Sequence, residues 1–387
     1  MPDRPVRILH AHSTFSLGGK EARAVRLMNA FGDAAEHVIL SATGQFGARD
    51  AIAPGIAADF PEDAPTLVGK PGPGRYRALA AYMKRFDLVL TYNWGAMDVV
   101  AARRLFGGPP LVHHEDGFNS DEAVRQKPAR VWFRRLMLPA ASKVVVPSQT
   151  LERIARTTWR QPYLRVERIA NGIAVERYRQ TPEPGSIAGF RRQPGEIVVG
   201  TAAGLREVKN LPRLVRAFAQ AKPPSAPTRL LIVGEGPERD RIETESLAWG
   251  VEESILMPGF LADPSRWIGH FDLFALSSDS EQFPISLVEA MAAGLPCVAT
   301  RVGDVAEMLP PGNVVVDARD EAGLAAGLNA FLADPEKRRS VGAANRAKAL
   351  AEYDEGVMIS RYAALYGEAI GRADAFRHGA TAILRAG

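Results

Sequence analysis

Two glutamates and two cations in the second half of the chain have the types and spacing of a ligand-binding site. Glu281 and Glu289 flank a Phe-Pro loop in the stretch "SEQFPISLVEAMAAGLP". Glu289 falls in an apolar run with the pattern of a short buried helix, where an unpaired carboxylate is costly. It therefore needs a partner, which is either a cation such as Arg206 or Lys209 or the hydroxyl groups of a ligand such as a ribose.

The two cations lie directly after a strand-like run, "EIVVGTAAG". A helix is predicted to begin near Leu211, with Asn210 suited to cap it. Two cations beside a helix N-terminus are able to hold a diphosphate, because the backbone N–H groups and the helix dipole add to their charge. The alternative is a solvated basic loop that binds nothing.

Two further segments place backbone groups where a ligand would meet them. Residues 283–286 lead into the helix that carries Glu289, and its first N–H groups suit a phosphate or an anionic transition state. Gly234 and Gly236, in "IVGEGPERD", would let the backbone approach a ligand closely. An ordinary tight turn between strand and helix explains these glycines equally well, and the third glycine of a dinucleotide fingerprint is absent.

Strand-like and helical segments alternate regularly along the chain. Short β-branched runs ending in polar or glycine residues are separated by helical patterns, and the pattern restarts near residue 196. This predicts an α/β fold with two doubly wound, Rossmann-like domains, whose parallel sheets bind ligands at their carboxyl edges. Residues 177–196, rich in Pro, Gly and charge, are the expected linker. The two domains would face each other across a cleft.

Composition narrows the class of protein. The 387 residues contain one cysteine, Cys297, which excludes an internal disulfide and a zinc site built on several thiolates. Its apolar surroundings predict a buried structural thiol. The polar first residues do not resemble a signal peptide, and no run of about 18 apolar residues occurs. We therefore expect a cytoplasmic protein.

Charge is unevenly distributed between the halves. Residues 1–180 hold 26 Lys+Arg and 17 Asp+Glu, a balance of +9, which leaves 22 basic and 27 acidic residues, or −5, for 181–387. Within the basic half, 124–143 combines Arg125 and other cations with Trp132 and aliphatic residues, as in a helix at an anionic membrane. The alternatives are an Arg-rich solvated surface and a helix packed on the sheet. No nucleic-acid reader motif accompanies the charge, so we expect no nucleic-acid partner.

The ordered set of motifs resembles a known family. "GLREVKNLPRLVRAFA", "LLIVGEGPER", "MPGFLAD", "EQFPISLVE", "AMAAGLPCVAT" and "VGDVAEML" resemble, in order and spacing, the donor-binding region of retaining GT-B glycosyltransferases of the GT4 family (glycosyl transferases group 1). "STFSLGGKEARAVRLMNAF" resembles the family's glycine loop and first helix. The resemblance implies a GT-B fold with an acceptor domain over 1–180, a donor domain over 181–360 and a C-terminal helix, 361–387, that crosses back to the first domain.

The resemblance also implies roles for the matching residues. Glu289 would hold the ribose of a sugar nucleotide, and Glu281 the hydroxyl groups of the transferred sugar. Lys209 and Arg206 would grip the diphosphate, and His113 would lie near the reacting sugar. The other donor-binding positions are Gly18 and Gly19 in the first domain's loop, Gly234 and Gly236, the backbone of Phe260 and Leu261 near the nucleobase, and the backbone of Phe283, Pro284, Ile285 and Ser286.

Some positions depart from the family pattern. The arginine expected five residues before Lys209 is Gly204 here, and we expect Arg206 to replace it. Gln282 follows Glu281 where glycine is frequent, so the loop that carries Glu281 is expected to be tighter or to point in a different direction. Which of His113 and His114 faces the cleft stays open.

The implied reaction is the transfer of a sugar, with retention, from a UDP, GDP or ADP sugar to a hydroxyl of a glycan, lipid or lipid-linked acceptor. No Asp-x-Asp motif follows a strand, so we expect no metal and no cofactor beyond the donor. The departing diphosphate would be stabilised by Arg206, Lys209 and the helix N-terminus. If 124–143 contacts a membrane, the acceptor is a lipid or a lipid-linked glycan, and contact is expected at the inner face.

Other functions remain open at this point. A non-catalytic sugar-nucleotide-binding subunit or sensor, motivated by Gly204, predicts donor binding without turnover. A sugar-nucleotide epimerase would share the fold, and a phosphorylase would need a pyridoxal-binding lysine context that the sequence lacks. A glycosidase would use Glu281 as acid or base but needs a pair of carboxylates around the scissile bond.

Overall fold

A computed structural model gives the structure of residues 4–16, 18–69, 71–118, 122, 126–221 and 226–376. The chain forms two compact units. The first unit consists of two segments, one that ends at Asn171 and one that begins at Gly356. The second unit is Gly172–Glu355.

The described residues of the first unit form a seven-stranded parallel sheet in the order β3-β2-β1-β4-β5-β6-β7. Its central strands are buried on both faces, which explains why their sequences are continuous apolar runs. The strands are β1 (Val6–His12), β2 (Ala35–Ser41), β3 (Ala58–Asp59), β4 (Leu88–Tyr92), β5 (Leu111–His114), β6 (Lys143–Val146) and β7 (Val166–Arg168). The helices between them are α1 (Gly19–Phe31), α2 (Pro73–Met83), α3 (Met97–Phe106), α4 (Pro128–Met137) and α5 (Gln149–Thr157).

The second unit repeats the architecture with a six-stranded parallel sheet, in the order β10-β9-β8-β11-β12-β13 over the described residues. Its strands are β8 (Ile197–Ala202), β9 (Thr228–Val233), β10 (Ile255–Gly259), β11 (Leu273–Leu276), β12 (Cys297–Thr300) and β13 (Val314–Val316). Its helices are α6 (Leu211–Gln220), α7 (Arg239–Ala248), α8 (Ile285–Ala292), α9 (Val305–Met308), α10 (Glu321–Leu332) and α11 (Pro335–Glu352). The predicted pair of Rossmann-like domains is confirmed.

The last helix, α12 (Glu355–Ala369), packs its apolar side on the core of the first unit. Tyr362 and Tyr366 are fully buried there, and the Tyr366 hydroxyl lies 2.8 Å from His114 Nε2. Of the predicted C-terminal segment 361–387, residues 377–387 lie outside the described part of the chain.

Residues 177–196, predicted as the linker, pack on the second unit. Ile187 is buried, Arg192 donates to Asp272 Oδ2 at 2.9 Å, and Glu183 pairs with Arg266 at 2.5 Å. The chain therefore passes from one unit to the next after Asn171, before this segment begins.

Each sheet has one point at which the strand order changes direction. These switch points lie between β1 and β4 in the first unit and between β8 and β11 in the second. In open parallel sheets, ligands bind outside the carboxyl ends of the two strands at that point. Within the described residues, no helix has both the length and the apolar character needed to cross a bilayer.

Candidate functional site

The loops that follow β8 and β11 are joined by hydrogen bonds at the second unit's switch point. Asp279 N donates to Val208 O at 2.8 Å, and Asn210 Nδ2 donates to Asp279 Oδ2 at 3.0 Å. The Ser277 hydroxyl donates to Lys209 O at 3.0 Å. These bonds fix the loop of Arg206 and Lys209 against the loop of Glu281.

Arg213, in the first turn of α6, secures the same junction. Its guanidinium donates to Ser277 O at 3.1 Å and pairs with Asp279 Oδ1 at 2.7 Å, and the residue is buried. The sequence did not point to this residue, because an arginine at the start of a helix is usually exposed to solvent. Its position next to the Asn210 cap was the available signal.

Lys209 and Glu281 form the central contact of the site. Lys209 Nζ donates to Glu281 Oε1 at 2.5 Å, and the Ser278 hydroxyl donates to the same oxygen at 2.8 Å. The side chains are only 20% and 11% exposed, so the pair is held at the strand ends and still reached by solvent. The cation considered as a partner for Glu289 is therefore engaged with the other glutamate.

Glu289 lies one turn into α8 and is half-buried. Its Oε1 accepts a hydrogen bond of 3.3 Å from the Tyr178 hydroxyl. Tyr178 belongs to the charged segment predicted as a linker, so no sequence pattern pointed to it.

The start of α8 has no side-chain cap, and Pro284 is its N-cap residue. Phe283 makes an edge contact with Tyr353, with ring centroids 5.6 Å apart. Gly303 supports the loop before the helix at a φ of +53°. A Cβ there would lie 2.3 Å from Glu281 O, so this glycine, which sequence reasoning missed, is required for the loop's position. The N–H groups of Ile285 and Ser286 begin the helix beside Glu281.

Gly234 and Gly236 make a close backbone approach, but to the loop that carries the cations. A Cβ on Gly234 would lie 1.8 Å from Ala203 O, and one on Gly236 would lie 2.4 Å from Leu205 O. Both glycines have positive φ, 146° and 156°. The tight-turn interpretation therefore accounts for these glycines without a ligand, and they position residues 203–209.

Arg206 is exposed, and its guanidinium folds back over Gly204. A Cβ on Gly204 would lie 3.3 Å from Arg206 Nε and 3.6 Å from one of its terminal nitrogens. The charge of Arg206 thus occupies the space beside residue 204. Within the described residues, its guanidinium makes no hydrogen bond or ion pair.

Phe260 and Leu261 follow the carboxyl end of β10. Phe260 is 74% exposed, an unusual position for a phenylalanine. Gly259 O accepts a hydrogen bond of 2.9 Å from Gly234 N, which ties this loop to the one after β9.

In the first unit, the loops after β1 and β4 touch at the switch point. A Cβ on Gly95 would lie 2.3 Å from Ser13 Cβ, so the two loops are in contact there. Gly18 is the N-cap of α1, where a Cβ would lie 2.9 Å from Glu21 Oε2, and Gly19 has open space around it. The predicted glycine loop therefore opens a helix at the carboxyl edge.

Arg23, which sequence reasoning did not single out, is buried at this edge. It forms a two-pronged pair with Asp116 and donates to Asn171 Oδ1 at 2.8 Å. Burial disfavours its charge, but Asp116 more than compensates and raises the pKa of Arg23 above its usual value.

His113 and His114 are both fully buried. His113 Nδ1 lies 2.9 Å from Thr91 Oγ1, and its Nε2 lies 3.5 Å from Glu115, which in turn accepts from Arg134 Nε at 3.2 Å. His114 stacks on Tyr92, and burial, with the nearby Arg23, holds the pKa of His114 well below its usual value. Neither ring is on the surface.

A cavity of about 470 Å³ lies beside the end of β4. Its walls come from the start of α3, the start of α4 and the loop before α2. The residues that shape it include Leu67, Pro71, Trp94, Met97, Asp98 and Phe133. Arg75 spans from Asp98, at 2.8 Å, to Gly69 O, at 3.0 Å, and fixes one wall.

Groups of three or more His, Cys, Asp or Glu side chains arranged to hold a metal ion are not found among the described residues. The charged side chains at this edge of the second unit's sheet are those of Arg206, Lys209, Arg213, Asp279 and Glu281.

Solved structures of other proteins share this fold. HepE from Anabaena, solved in complex with UDP, has a similar structure, with a TM-score of 0.74, 21% identity and coverage of 92% of this chain and 98% of that one. Sucrose-phosphate synthase from Thermosynechococcus elongatus gives a TM-score of 0.74 at 18% identity, covering 94% and 98%. The architecture is the GT-B fold.

Family models identify the chain more closely. "Glycosyl transferases group 1" matches residues 187–348, and "Glycosyltransferase Family 4" matches residues 17–177. The chain belongs to this glycosyltransferase family, of GT4 type.

Named relatives match over shorter stretches. N-acetyl-alpha-D-glucosaminyl L-malate synthase from Bacillus anthracis is 30% identical over 166 residues, 42% of this chain and 43% of the relative. A GDP-mannose-dependent alpha-(1-6)-phosphatidylinositol monomannoside mannosyltransferase from Mycolicibacterium smegmatis is 28% identical over 57% of this chain and 61% of the relative. The matches to the most similar relatives span about half of those proteins' length.

Proposed function

We propose that the protein transfers a sugar, with retention, from a nucleoside-diphosphate sugar to a hydroxyl of a glycan, lipid or lipid-linked acceptor. The observation that carries this proposal is the Lys209–Glu281 pair at the switch point of the second sheet, beside the start of α8. It combines a cation, a carboxylate and helix N–H groups at the edge where such sheets bind ligands.

Charge is the main requirement of this reaction. Breaking the sugar–phosphate bond places negative charge on the departing nucleoside diphosphate. Lys209, Arg206 and the backbone at the start of α8, residues 283–286, stabilise that charge. Because cations and helix N–H groups supply this stabilisation, transfer needs no added divalent ion.

Arg206 replaces the family arginine that is missing at Gly204. The support is geometric, since the Arg206 guanidinium lies 3.3 Å from where a Gly204 Cβ would be. A side chain from either position thus brings a cation to the same region above the loop.

The two glutamates bind different parts of the donor. Glu281, oriented by Lys209 and Ser278, accepts hydrogen bonds from hydroxyls of the transferred sugar. Glu289, half-buried beside Tyr178, accepts from the two ribose hydroxyls. The exposed Phe260, with Leu261, offers a surface for the nucleobase. Gly234 and Gly236 contribute by positioning the loop of residues 203–209, which carries Arg206 and Lys209.

UDP and GDP donors are the first to test, ahead of ADP. HepE was crystallised with UDP, and two mannosyltransferases among the relatives are named as GDP-mannose-dependent. Residues 259–261 would contact the base mainly through backbone, so the base is best determined by titration.

The first unit holds the acceptor. The cavity beside β4 has aromatic and aliphatic walls with Asp98 and Arg130 among them, a composition suited to a sugar or to the apolar part of a glycolipid. His113 lies near the reacting sugar but behind the surface, where Thr91 and Glu115 flank its buried ring. Gly18 and Gly19 allow the α1 loop to approach a ligand's phosphates.

Residues 124–143 contact the inner face of an anionic membrane. Trp132 and Leu136, one turn apart on α4, are each 57% exposed, and Arg135 lies 4.9 Å from the Trp132 ring centroid. Arg125 lies outside the described residues. Membrane contact would place the protein near lipid or lipid-linked acceptors.

Turnover decides between the enzyme and a non-catalytic binding subunit. Wild type, incubated with each sugar nucleotide and extracted membrane lipids, should release nucleoside diphosphate and yield a glycosylated lipid of retained anomeric configuration by NMR. Activity should persist in EDTA. Donor binding without release of diphosphate, with and without acceptors, would favour the binding subunit.

A further inference from the structure

A second cavity of the first unit lies at the opposite edge of its sheet from the switch-point loops. It has a volume of about 300 Å³ and is lined by Arg103, Arg104, Arg165 and residues 139–142. These residues precede the strands: 139–142 run into β6, Arg165 precedes β7, and the Arg103 side chain reaches Pro109, before β5. This arginine cavity is therefore at the amino edge of the sheet, away from the proposed acceptor site.

The three guanidinium groups are held in place without being neutralised. Each donates to a backbone carbonyl: Arg103 Nε to Pro109 O at 2.8 Å, Arg104 Nε to Leu136 O at 3.3 Å, and Arg165 to Pro139 O. Within the described part of the chain, none forms an ion pair with a carboxylate. The nearby Lys143 has Glu368 3.9 Å away.

Three like charges around one small cavity repel one another, and a bound anion would relieve that repulsion. Guanidinium groups match the geometry of phosphate oxygens, and their remaining N–H groups are available to donate. The arginine cavity has the chemistry of a phosphate site.

Large apolar side chains stand exposed next to these arginines. Five of the twelve large hydrophobic residues that the described chain exposes adjoin the cavity in sequence or through its hydrogen bonds. They are Leu105 (56% exposed), Phe106 (38%), Leu136 (57%), Tyr163 (71%) and Leu164 (81%). A free phosphate gains nothing from such an apolar rim. Three of the five residues are leucines, which offer no ring for a nucleobase to stack on, whereas a lipid surface covers all five.

We propose that the arginine cavity binds the headgroup phosphate of an anionic phospholipid, with the apolar rim entering the lipid interface around it. Leu136 lies on α4, so the inference extends the proposed membrane contact from one helix to a defined headgroup site. Lipid binding at this edge does not depend on the glycosyl-transfer proposal, and each can fail separately.

Vesicle binding tests the site. The protein is sedimented with vesicles of phosphatidylcholine alone and of phosphatidylcholine with phosphatidylglycerol. Wild type should prefer the anionic vesicles. Each arginine near an anionic surface contributes about a fivefold change in binding, so Arg103→Gln/Arg104→Gln/Arg165→Gln should bind about 100-fold more weakly. A double variant, Arg104→Gln/Arg165→Gln, covers the case in which the half-buried Arg103 is needed for folding.

A matched control variant removes three positive charges from the second unit. Arg191→Gln/Arg241→Gln/Arg301→Gln alters three exposed arginines of the second unit and should bind vesicles nearly as wild type does. Equal losses in both triple variants, or no preference of wild type for anionic vesicles, would overturn the proposal. Inorganic phosphate that binds as tightly as the vesicles and displaces them would overturn the lipid assignment. UDP titration of each variant reports on the donor site independently.

Discussion

Lys209 and Glu281, 72 positions apart in sequence, share a hydrogen bond of 2.5 Å at the adjacent ends of β8 and β11. The pair exists because the sheet places β11 directly beside β8, where the strand order changes direction. Ser278 and the hydrogen bonds between the two loops hold it in position. We infer that donor binding and charge stabilisation centre on this contact.

Removing the ammonium should disable transfer with little effect on folding. Lys209→Met is expected to lower the rate of diphosphate release by roughly 100- to 1,000-fold, the effect of losing one preorganised stabilising group. The loss should fall mainly on kcat, because the charge develops in the transition state. Arg241→Met, an exposed second-unit cation, is the control, and equal rates in the two variants would contradict the assignment.

The arginine replacement at Gly204 predicts a rescue. Arg206→Ala should weaken UDP or GDP binding by about tenfold, the loss of one charge-assisted hydrogen bond. Gly204→Arg/Arg206→Ala should recover most of it, because both side chains reach the same space above the loop. Calorimetric titration of the three proteins decides the point, and a double variant no better than Arg206→Ala would show that position 206 is not equivalent.

Gly234→Ala should displace the loop of residues 203–209, which carries Arg206 and Lys209, although Gly234 itself lies in a different loop. The added Cβ would meet Ala203 O, so the loop must move or the turn must open. We expect a loss of about 2–4 kcal/mol in the free energy of unfolding and weaker nucleotide binding. Gly250→Ala is the control: its φ is +64° and nothing lies within 4 Å, so it costs only the strain of a left-handed backbone, about 1 kcal/mol. The φ of +146° at Gly234 adds further strain to the steric clash there. Similar costs for both variants would argue against the steric role.

Buried histidines should make the first unit sensitive to acid. Burial lowers the pKa of His37 to about 4, and it also holds the pKa values of His10, His12 and His114 well below normal. The unfolded chain, with histidine pKa values near 6.5, therefore binds more protons below that pH. Stability should be full above about pH 6.5 and fall as the pH drops toward 4.

Hydrogen exchange at pH 7 and pH 5, corrected for intrinsic rates, measures this effect unit by unit. Protection of β1, β2 and β5 should fall more than protection of the second unit, whose one described histidine, His270, is only half-buried. Equal changes in both units would contradict the explanation.

The local parts of the fold and site were predictable from sequence. The alternation of apolar runs and helical patterns predicted both sheets. The position of Arg206 and Lys209, after a strand and before a helix, was also predicted from the residues around them. The buried thiol predicted for Cys297 is confirmed, and burial raises the pKa of that thiol. These features depend on residues close together in the chain.

Contacts between distant segments were not predictable in this way. The sequence offered Lys209 as a partner for Glu289, whereas the register of β8 beside β11 gives it to Glu281. Tyr178 reaches Glu289 from a segment whose composition suggests a linker, and Gly303 is needed only because the Glu281 loop passes over it. Each depends on tertiary packing, which residue spacing does not encode.

Calorimetric titration of UDP, GDP and ADP, each with and without its sugar, into wild type and Glu289→Ala tests whether the second unit binds a sugar nucleotide. Glu243→Ala, an exposed carboxylate of α7, serves as the control. We expect micromolar binding of one nucleotide by wild type and the control, and at least a tenfold loss in Glu289→Ala, since two charge-assisted bonds to the ribose disappear. Absence of binding by all three nucleotides, or undiminished binding in Glu289→Ala, would contradict the donor site proposed here.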